Sequence, residues 1–195
     1  MDEQQAYTRS PELMTPQDTV LVVVDVQEKL MPFIAGGRRI IWNLRRLIDG
    51  ALAMGLKTLA TEQYPQGLGP TVSELAGRLG EIPSKTVFSC AGCEPFAARL
   101  QESGASKVMV AGIEAHVCVQ QTVLDLLAGG YHVYVPVDAV GSRYKIDYDT
   151  GLKRMESAGA TLTTTESALF EWCQVSGTPT FKKISALVRE SPPED

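Results

Sequence analysis

The residue types best suited to nucleophilic chemistry in this chain are an aspartate, a lysine and a cysteine, Asp25, Lys85 and Cys118. Asp25 ends one short apolar run typical of a buried strand, Lys85 precedes another, and Cys118 begins a predicted helix after a third. A cysteine thiolate attacks carbonyl carbons, a carboxylate can take the thiol proton, and an ammonium can orient that carboxylate. The three side chains are therefore candidates for a nucleophile, its base and an orienting cation.

Cys118 follows the apolar run Lys107–Ala111 and falls at the start of a helix predicted over 115–129. A helix N-terminus favours a thiolate and offers free N–H groups to an oxyanion. Together with Lys85, this position predicts that the pKa of Cys118 is depressed and that its thiol reacts fastest. From the residue types alone, plainer roles stay open: core packing for Cys118, a turn or cap for Asp25, and a solvated charge for Lys85.

The elements that must position these residues alternate between short β-rich runs and longer helical ones, which predicts an α/β fold with a mainly parallel sheet. Ligands in such folds bind outside the carboxyl ends of the strands. The three candidates would therefore meet on one rim. The predicted strands are 19–24, 57–61, 86–88, 107–111, 132–135 and 160–163, and the predicted helices run from about 40 to 55, then over 95–103, 115–129, 148–158, 166–173 and 182–188.

The composition is that of one globular domain. The chain has 195 residues, of which 44% are hydrophobic and 21% charged, with a net charge of −5. This charge disfavours nucleic acid and anionic membranes, so we expect a small-molecule substrate as partner. We expect an N-terminal extension over 1–18, the main folded domain over 19–190 and a short C-terminal tail over 191–195. Because no export signal or membrane-length apolar run stands in the sequence, the four cysteines predict reduced thiols and a cytoplasmic location.

Cys90 and Cys93 form the spacing C-x-x-C, which suits a redox dithiol or half of a zinc site. No second such pair accompanies them, and no proline stands between them. A coincidental spacing and a reversible thiol switch both stay open.

Four segments resemble the isochorismatase-like (cysteine hydrolase) superfamily, and they occur in its order and at its spacing. They are VVVDVQEKL from Val22, ATEQYPQGLGP from Ala60, KTVFSC from Lys85 and GIEAHVCVQQTVLDLLAGGYHVYVPVDAVGSR from Gly112. The likeness covers about 19–170 and is greatest to the isochorismatase-domain-containing branch. It implies a Rossmann-like three-layer α/β/α fold with a six-stranded mainly parallel sheet, assembled into dimers or larger homo-oligomers.

The resemblance also implies roles for single residues. The superfamily's Asp-Lys-Cys triad matches Asp25, Lys85 and Cys118. Its non-proline cis peptide matches the bond between Ile113 and Glu114, and its oxyanion donors match the backbone amides of Glu114 and Cys118.

Departures from the superfamily limit the activity that we expect. The nicotinamidase branch binds a metal with an aspartate and histidines after the second strand, whereas Glu62, Gln63 and Tyr64 stand there. We therefore expect neither a metal nor another cofactor. True isochorismatases do not depend on a cysteine nucleophile, so Cys118 argues against that activity. Glu62, Gln63, Tyr64 and His116 are candidates for the substrate pocket, with turn or capping roles as alternatives.

The sequence thus predicts a metal-independent hydrolase of a small amide, carbamoyl or related C–N substrate that uses a Cys-Asp-Lys triad. One alternative is a redox or thiol protein that uses Cys90 and Cys93. The other is a non-catalytic protein that keeps the fold for oligomerisation or partner binding.

Overall fold

The computed structural model describes residues 7–194 and shows a three-layer α/β fold, with helices on both faces of a parallel sheet. The sheet has seven strands, ordered β3-β2-β1-β4-β5-β7, and β6 pairs with the far end of β4. This confirms the predicted architecture and adds one short strand to the expected six. The strands are β1 (Thr19–Val24), β2 (Lys57–Gln63), β3 (Ser84–Lys85), β4 (Lys107–Ile113), β5 (His132–Pro136), β6 (Val140–Gly141) and β7 (Thr161–Thr163).

Eight helices connect these strands or follow them among the described residues. They are α1 (Gly37–Met54), α2 (Pro65–Leu68), α3 (Ser73–Ala76), α4 (Glu94–Ser103), α5 (Gln120–Ala128), α6 (Lys145–Ser157), α7 (Thr165–Cys173) and α8 (Pro179–Val188). A π-helical turn over Ala115–Val119 precedes α5, and short 3-10 turns lie at Met31–Phe33 and Cys90–Gly92. The predicted helix over 115–129 is therefore present, but its first turn is wider than an α-helix.

The central strands β1 and β4 are buried along their whole length. Their β-branched and apolar side chains pack against helices on both faces, which is why they appear in the sequence as unbroken apolar runs. One face packs on α1, α7 and α8 and the other on α4, α5 and α6. At Gly112 the strands approach so closely that an added Cβ would lie 2.2 Å from the carbonyl oxygen of Val24. The sheet is thus a rigid base for the loops at its carboxyl edge.

Part of the expected N-terminal extension packs against this domain. Met14 is fully buried, and the Arg9 guanidinium donates to the carbonyls of Met14 and Glu171 at 3.2 and 2.9 Å. Residues 1–6 and 195 lie outside the described range. The domain boundaries at 18 and 190 stay a prediction.

Candidate active site

Asp25 lies directly after β1 and is completely buried. Its φ of +52° is in the left-handed region, which aspartate tolerates better than most residues, and its amide donates to the Thr61 carbonyl at 3.1 Å. Each carboxylate oxygen has a donor. The Thr61 hydroxyl donates to Oδ1 at 2.8 Å and Lys85 Nζ to Oδ2 at 2.7 Å.

Lys85 is the last residue of β3, not the residue before a strand as predicted. The apolar segment after it was expected to form strand 86–88, but Val87 and Phe88 are exposed and their carbonyls accept from Lys85 Nζ at 3.4 and 2.9 Å. The chain turns over the ammonium instead of continuing in the sheet. Gln63 Oε1 is a further acceptor at 2.8 Å, so the buried charge is fully hydrogen-bonded.

Cys118 lies in the π-helical turn after β4 and is 7% exposed. The peptide bond between Ile113 and Glu114, at the end of β4, is cis. The Glu114 carbonyl accepts the amides of Val117 and Val119 at 3.0 and 3.2 Å, on either side of Cys118. The Cys118 thiol and the Asp25 carboxylate lie close enough for each group to shift the pKa of the other. Asp25, Lys85 and Cys118 therefore form one buried cluster at the carboxyl edge of the sheet.

The electrostatics of this cluster contradict the expected thiolate. Burial raises the pKa of Cys118 above its ordinary value, the Asp25 charge raises it further, and the lowering effect of Lys85 is smaller. The prediction of a depressed pKa is therefore wrong. Burial also raises the pKa of Asp25, against the opposing effects of Lys85, Cys118 and Thr61. Both groups therefore hold a proton more tightly than they would in water.

Glu114 and His116 are each held by the segment after β6. Arg143 donates to Glu114 Oε2 from its backbone amide at 3.2 Å and from Nε at 3.1 Å. The His116 Nδ1 atom lies 3.0 Å from Ser142 Oγ, and Nε2 lies 3.9 Å from Asp147 Oδ2. This segment therefore fixes the turn that carries Cys118.

The remaining pocket candidates have other contacts. Glu62 Oε1 accepts from the Thr71 amide and hydroxyl at 2.6 and 2.8 Å, and so anchors the loop after α2. Gln63 supports Lys85. Tyr64 is 54% exposed and lines a cavity of about 520 Å³ at the β3 edge, whose lining does not include Cys118. A role for these residues in substrate binding stays a prediction.

Cys90 and Cys93 are both free thiols with different neighbours. Cys90 Sγ lies 3.3 Å from the Thr61 hydroxyl, whereas Cys93 Sγ lies 3.9 Å from the Ser84 carbonyl. Cys90 thus belongs to the surroundings of Asp25. Sequence reasoning missed this contact and the role of Thr61, because neither residue type nor spacing distinguishes Thr61 from any other strand threonine.

Within residues 7–194, no three His, Cys, Asp or Glu side chains are grouped so that they could hold a metal ion. Over the same range, none of the helices combines the length and apolar character needed to cross a bilayer.

The fold and this rim define a Rossmann-like α/β protein whose candidate site combines a thiol, a carboxylate and an ammonium. Residues 19–167 match the isochorismatase domain. The chain therefore belongs to the isochorismatase family and has its hydrolase fold.

Relatives with curated descriptions agree with this assignment. The chain is 39% identical over 183 residues to isochorismatase domain-containing protein 1 of Salmo salar, a match that covers 93% of this chain and 64% of the relative. This chain thus spans less than two thirds of that protein. It is 37% identical over 182 residues to isochorismatase domain-containing protein 2A of Mus musculus, covering 92% and 86% of the two chains.

A solved structure is also similar over nearly the whole fold. It is described as the MAR1 ribonuclease of Caenorhabditis elegans and is 42% identical to this chain. The TM-score is 0.87, and the match covers 93% of this chain and 95% of the other.

Proposed function

We propose that the protein is a metal-independent cysteine hydrolase that cleaves a small amide, carbamoyl or related C–N bond. The observation that carries this proposal is the placement of the Cys118 thiol beside the buried Asp25 carboxylate, near enough for each group to shift the pKa of the other. A thiol of raised pKa becomes a nucleophile only with a base close by, and Asp25 is the carboxylate beside it.

The first half-reaction follows from these contacts. Cys118 Sγ attacks the substrate carbonyl carbon while its proton passes to Asp25, and a C–S bond forms as the carbonyl π electrons move to oxygen. The backbone amides of Glu114 and Cys118 hold the oxyanion. As the intermediate collapses, the C–N bond breaks and Asp25 returns the proton to the leaving nitrogen. A thioester on Cys118 remains.

In the second half-reaction, water adds to the thioester while Asp25 takes its proton. The C–S bond then breaks, Asp25 returns the proton to the leaving Cys118 sulfur, and the acid is released. Lys85 keeps the carboxylate oriented throughout, because its ammonium donates to Asp25 Oδ2, the Gln63 amide oxygen and two carbonyls. The small exposed fraction of Cys118 restricts the substrate to a compact molecule.

A panel of small amides, carbamates, ureido compounds and isochorismate, read by release of ammonia or other products, tests this function. The panel includes RNA, because the Caenorhabditis elegans relative is described as a ribonuclease. The net charge of −5 disfavours a polyanionic substrate. Cleavage of a C–N substrate that is lost in Cys118→Ala supports the proposal. Cleavage of RNA or isochorismate alone contradicts it.

Metal independence is part of the proposal and has its own test. Dialysis against a chelator should leave the turnover of a C–N substrate unchanged. Loss of turnover that zinc or manganese restores would contradict it.

The proposal includes assembly into a homo-oligomer. Large apolar side chains are exposed in segments that follow the carboxyl ends of several strands, and burial of these side chains between subunits would favour association. They are Phe33, Tyr64, Val87, Phe88, Tyr144 and Ile146. Light scattering after size-exclusion chromatography should give at least the mass of a dimer, and a monomer across the micromolar range would contradict this.

The alternatives predict other outcomes. A redox protein would form a Cys90–Cys93 disulfide on mild oxidation, and a non-catalytic interaction protein would turn over no member of the panel.

A further inference from the structure

A cavity of about 340 Å³ lies beside β6, and its lining contains none of Asp25, Lys85 and Cys118. The segment before α1 and the first turn of α1 form part of its wall, and the residues after β5, β6 and the first turn of α6 form the rest. Its volume is within the range of small-molecule sites, which is roughly 300–1,000 Å³.

The wall of this cavity is mainly apolar, with Ile40, Val137 and Val140 among its residues. Polar groups in the wall already have partners. Asp138 Oδ1 accepts from the Thr165 amide and hydroxyl at 2.8 and 3.0 Å, and the Tyr148 hydroxyl donates to the Val137 carbonyl at 2.6 Å. An apolar body would therefore enter without competing with water for unsatisfied groups.

Two cationic side chains, Arg39 and Lys145, also line the cavity, and both residues are exposed. Lys145 pairs with Asp149, but Lys145 is 84% exposed, and a surface pair of this kind is easily exchanged for another anion. An anionic group at the mouth would meet both cations while the attached apolar part fills the interior.

We propose that this cavity is a binding site for a small organic anion with an apolar body of about the size of benzoate, and that its occupancy alters the turn that carries Cys118. The binding site does not depend on the reaction proposed above.

The coupling between the cavity and the turn that carries Cys118 follows from contacts of the cavity wall. β6 pairs with the end of β4, where Gly141 is the partner of Ile113. Ser142 lies in the wall, its carbonyl accepts the Ala35 amide at 3.3 Å, and its hydroxyl contacts His116 at 3.0 Å. The next residue, Arg143, holds Glu114. A ligand that displaces β6 would therefore move both Glu114 and His116. His116 is two residues before Cys118, so the turn that carries the thiol would move with them.

The test is a titration of the full chain with benzoate, with benzyl alcohol as a neutral ligand of similar size, followed by isothermal calorimetry and amide NMR shifts. Saturable benzoate binding is expected, with shifts centred on 137–148. Arg39→Met/Lys145→Met should weaken it by at least about tenfold, and Ala35→Phe should weaken it by narrowing the entrance. Lys153→Met, which removes an exposed charge elsewhere on α6, is the matched control and should bind as the original chain does.

A second readout measures the coupling without any substrate. Saturating benzoate should change the rate at which iodoacetamide alkylates Cys118 by at least about twofold in the original chain and in Lys153→Met, and should not change it in the double variant. No saturable binding, equal binding of benzyl alcohol, or binding that survives in both cavity variants would overturn the site. Benzoate binding with an unchanged alkylation rate would overturn the coupling.

Discussion

Lys85 Nζ lies 2.7 Å from Asp25 Oδ2, and the two side chains are 1% and 0% exposed. A buried pair of this kind contributes little net stability relative to apolar residues, since both charges lose their hydration. Removal of one partner destabilises the fold, because the other charge is left buried without a counter-ion. The pair is therefore better explained by what it does to the neighbouring thiol than by stability.

The first prediction concerns this pair. Lys85→Met should lower the free energy of unfolding at neutral pH by about 3–5 kcal/mol, because Asp25 is left buried without its cation. Lys107→Met is the matched control: Lys107 Nζ lies 2.9 Å from Asp18 Oδ2, but the Asp18 side chain is 30% exposed and can be solvated. Urea denaturation measures both. The Asp25→Asn/Lys85→Met double variant should recover part of the lost unfolding free energy. Equal losses in Lys85→Met and Lys107→Met would contradict this prediction.

The second prediction separates the thiol's acidity from its catalytic use. Asp25→Asn removes the negative charge that raises the pKa of Cys118, so the pKa should fall. Turnover should nevertheless be nearly abolished, because the base is gone. The pH dependence of Cys118 alkylation, mapped by mass spectrometry, measures the first effect. Asp147→Asn, a more exposed carboxylate near His116, should leave both quantities unchanged. An unchanged or higher midpoint pH of Cys118 alkylation in Asp25→Asn would contradict the effect of the Asp25 charge on the thiol.

The third prediction concerns Thr61, whose hydroxyl lowers the pKa of Asp25 by donating to it. Asp25 acts only when deprotonated, so activity falls as the pH drops through its pKa. Thr61→Val removes the donor, raises that pKa, and should move the acid limb of kcat/KM to higher pH, while Thr61→Ser should restore it. A uniform loss of rate with an unmoved acid limb would show that Thr61 only packs.

The fourth prediction is an alkaline loss of stability. Burial raises the pKa of the Cys90 thiol from 9.0 to about 11. Between these values the unfolded thiol loses its proton and the folded one keeps it, so stability falls as the pH rises. The loss from Cys90 approaches about 3 kcal/mol above the folded pKa.

Urea midpoints from pH 8 to 11 measure this loss. Cys90→Ala should be less stable at pH 8, because a buried side chain is truncated, but its midpoint should decline less steeply with pH. Cys173→Ala, which removes a half-buried thiol from the end of α7, is the control. Parallel declines in the original chain and in Cys90→Ala would contradict the assignment.

Periodicity and strand-end chemistry predicted most of the fold, because β1 and β4 are buried on both faces and α1 keeps its apolar residues on one side. The same reasoning brought Asp25, Lys85 and Cys118 to one rim. It misplaced β3, since Val87 and Phe88 have strand propensity but turn outward around the Lys85 ammonium. That ammonium is also hydrogen-bonded to Asp25, 60 residues away in the sequence.

The acidity of Cys118 could not be predicted for a related reason. The sequence shows a helix start, which lowers a thiol pKa, but burial and the charge of Asp25 are properties of the packed structure and act in the opposite direction. Thr61 and Arg143 were missed because their roles exist only through side chains brought together by the sheet.

The most direct test of the central claim is intact-mass detection of an acyl-enzyme after rapid quenching with small activated amides or carbamoyl compounds. The account predicts an adduct that maps to Cys118, is absent in Cys118→Ala, forms far more slowly in Asp25→Asn, and is retained in Cys93→Ser. Turnover that survives in Cys118→Ala, or an adduct that maps to Cys90, would contradict it.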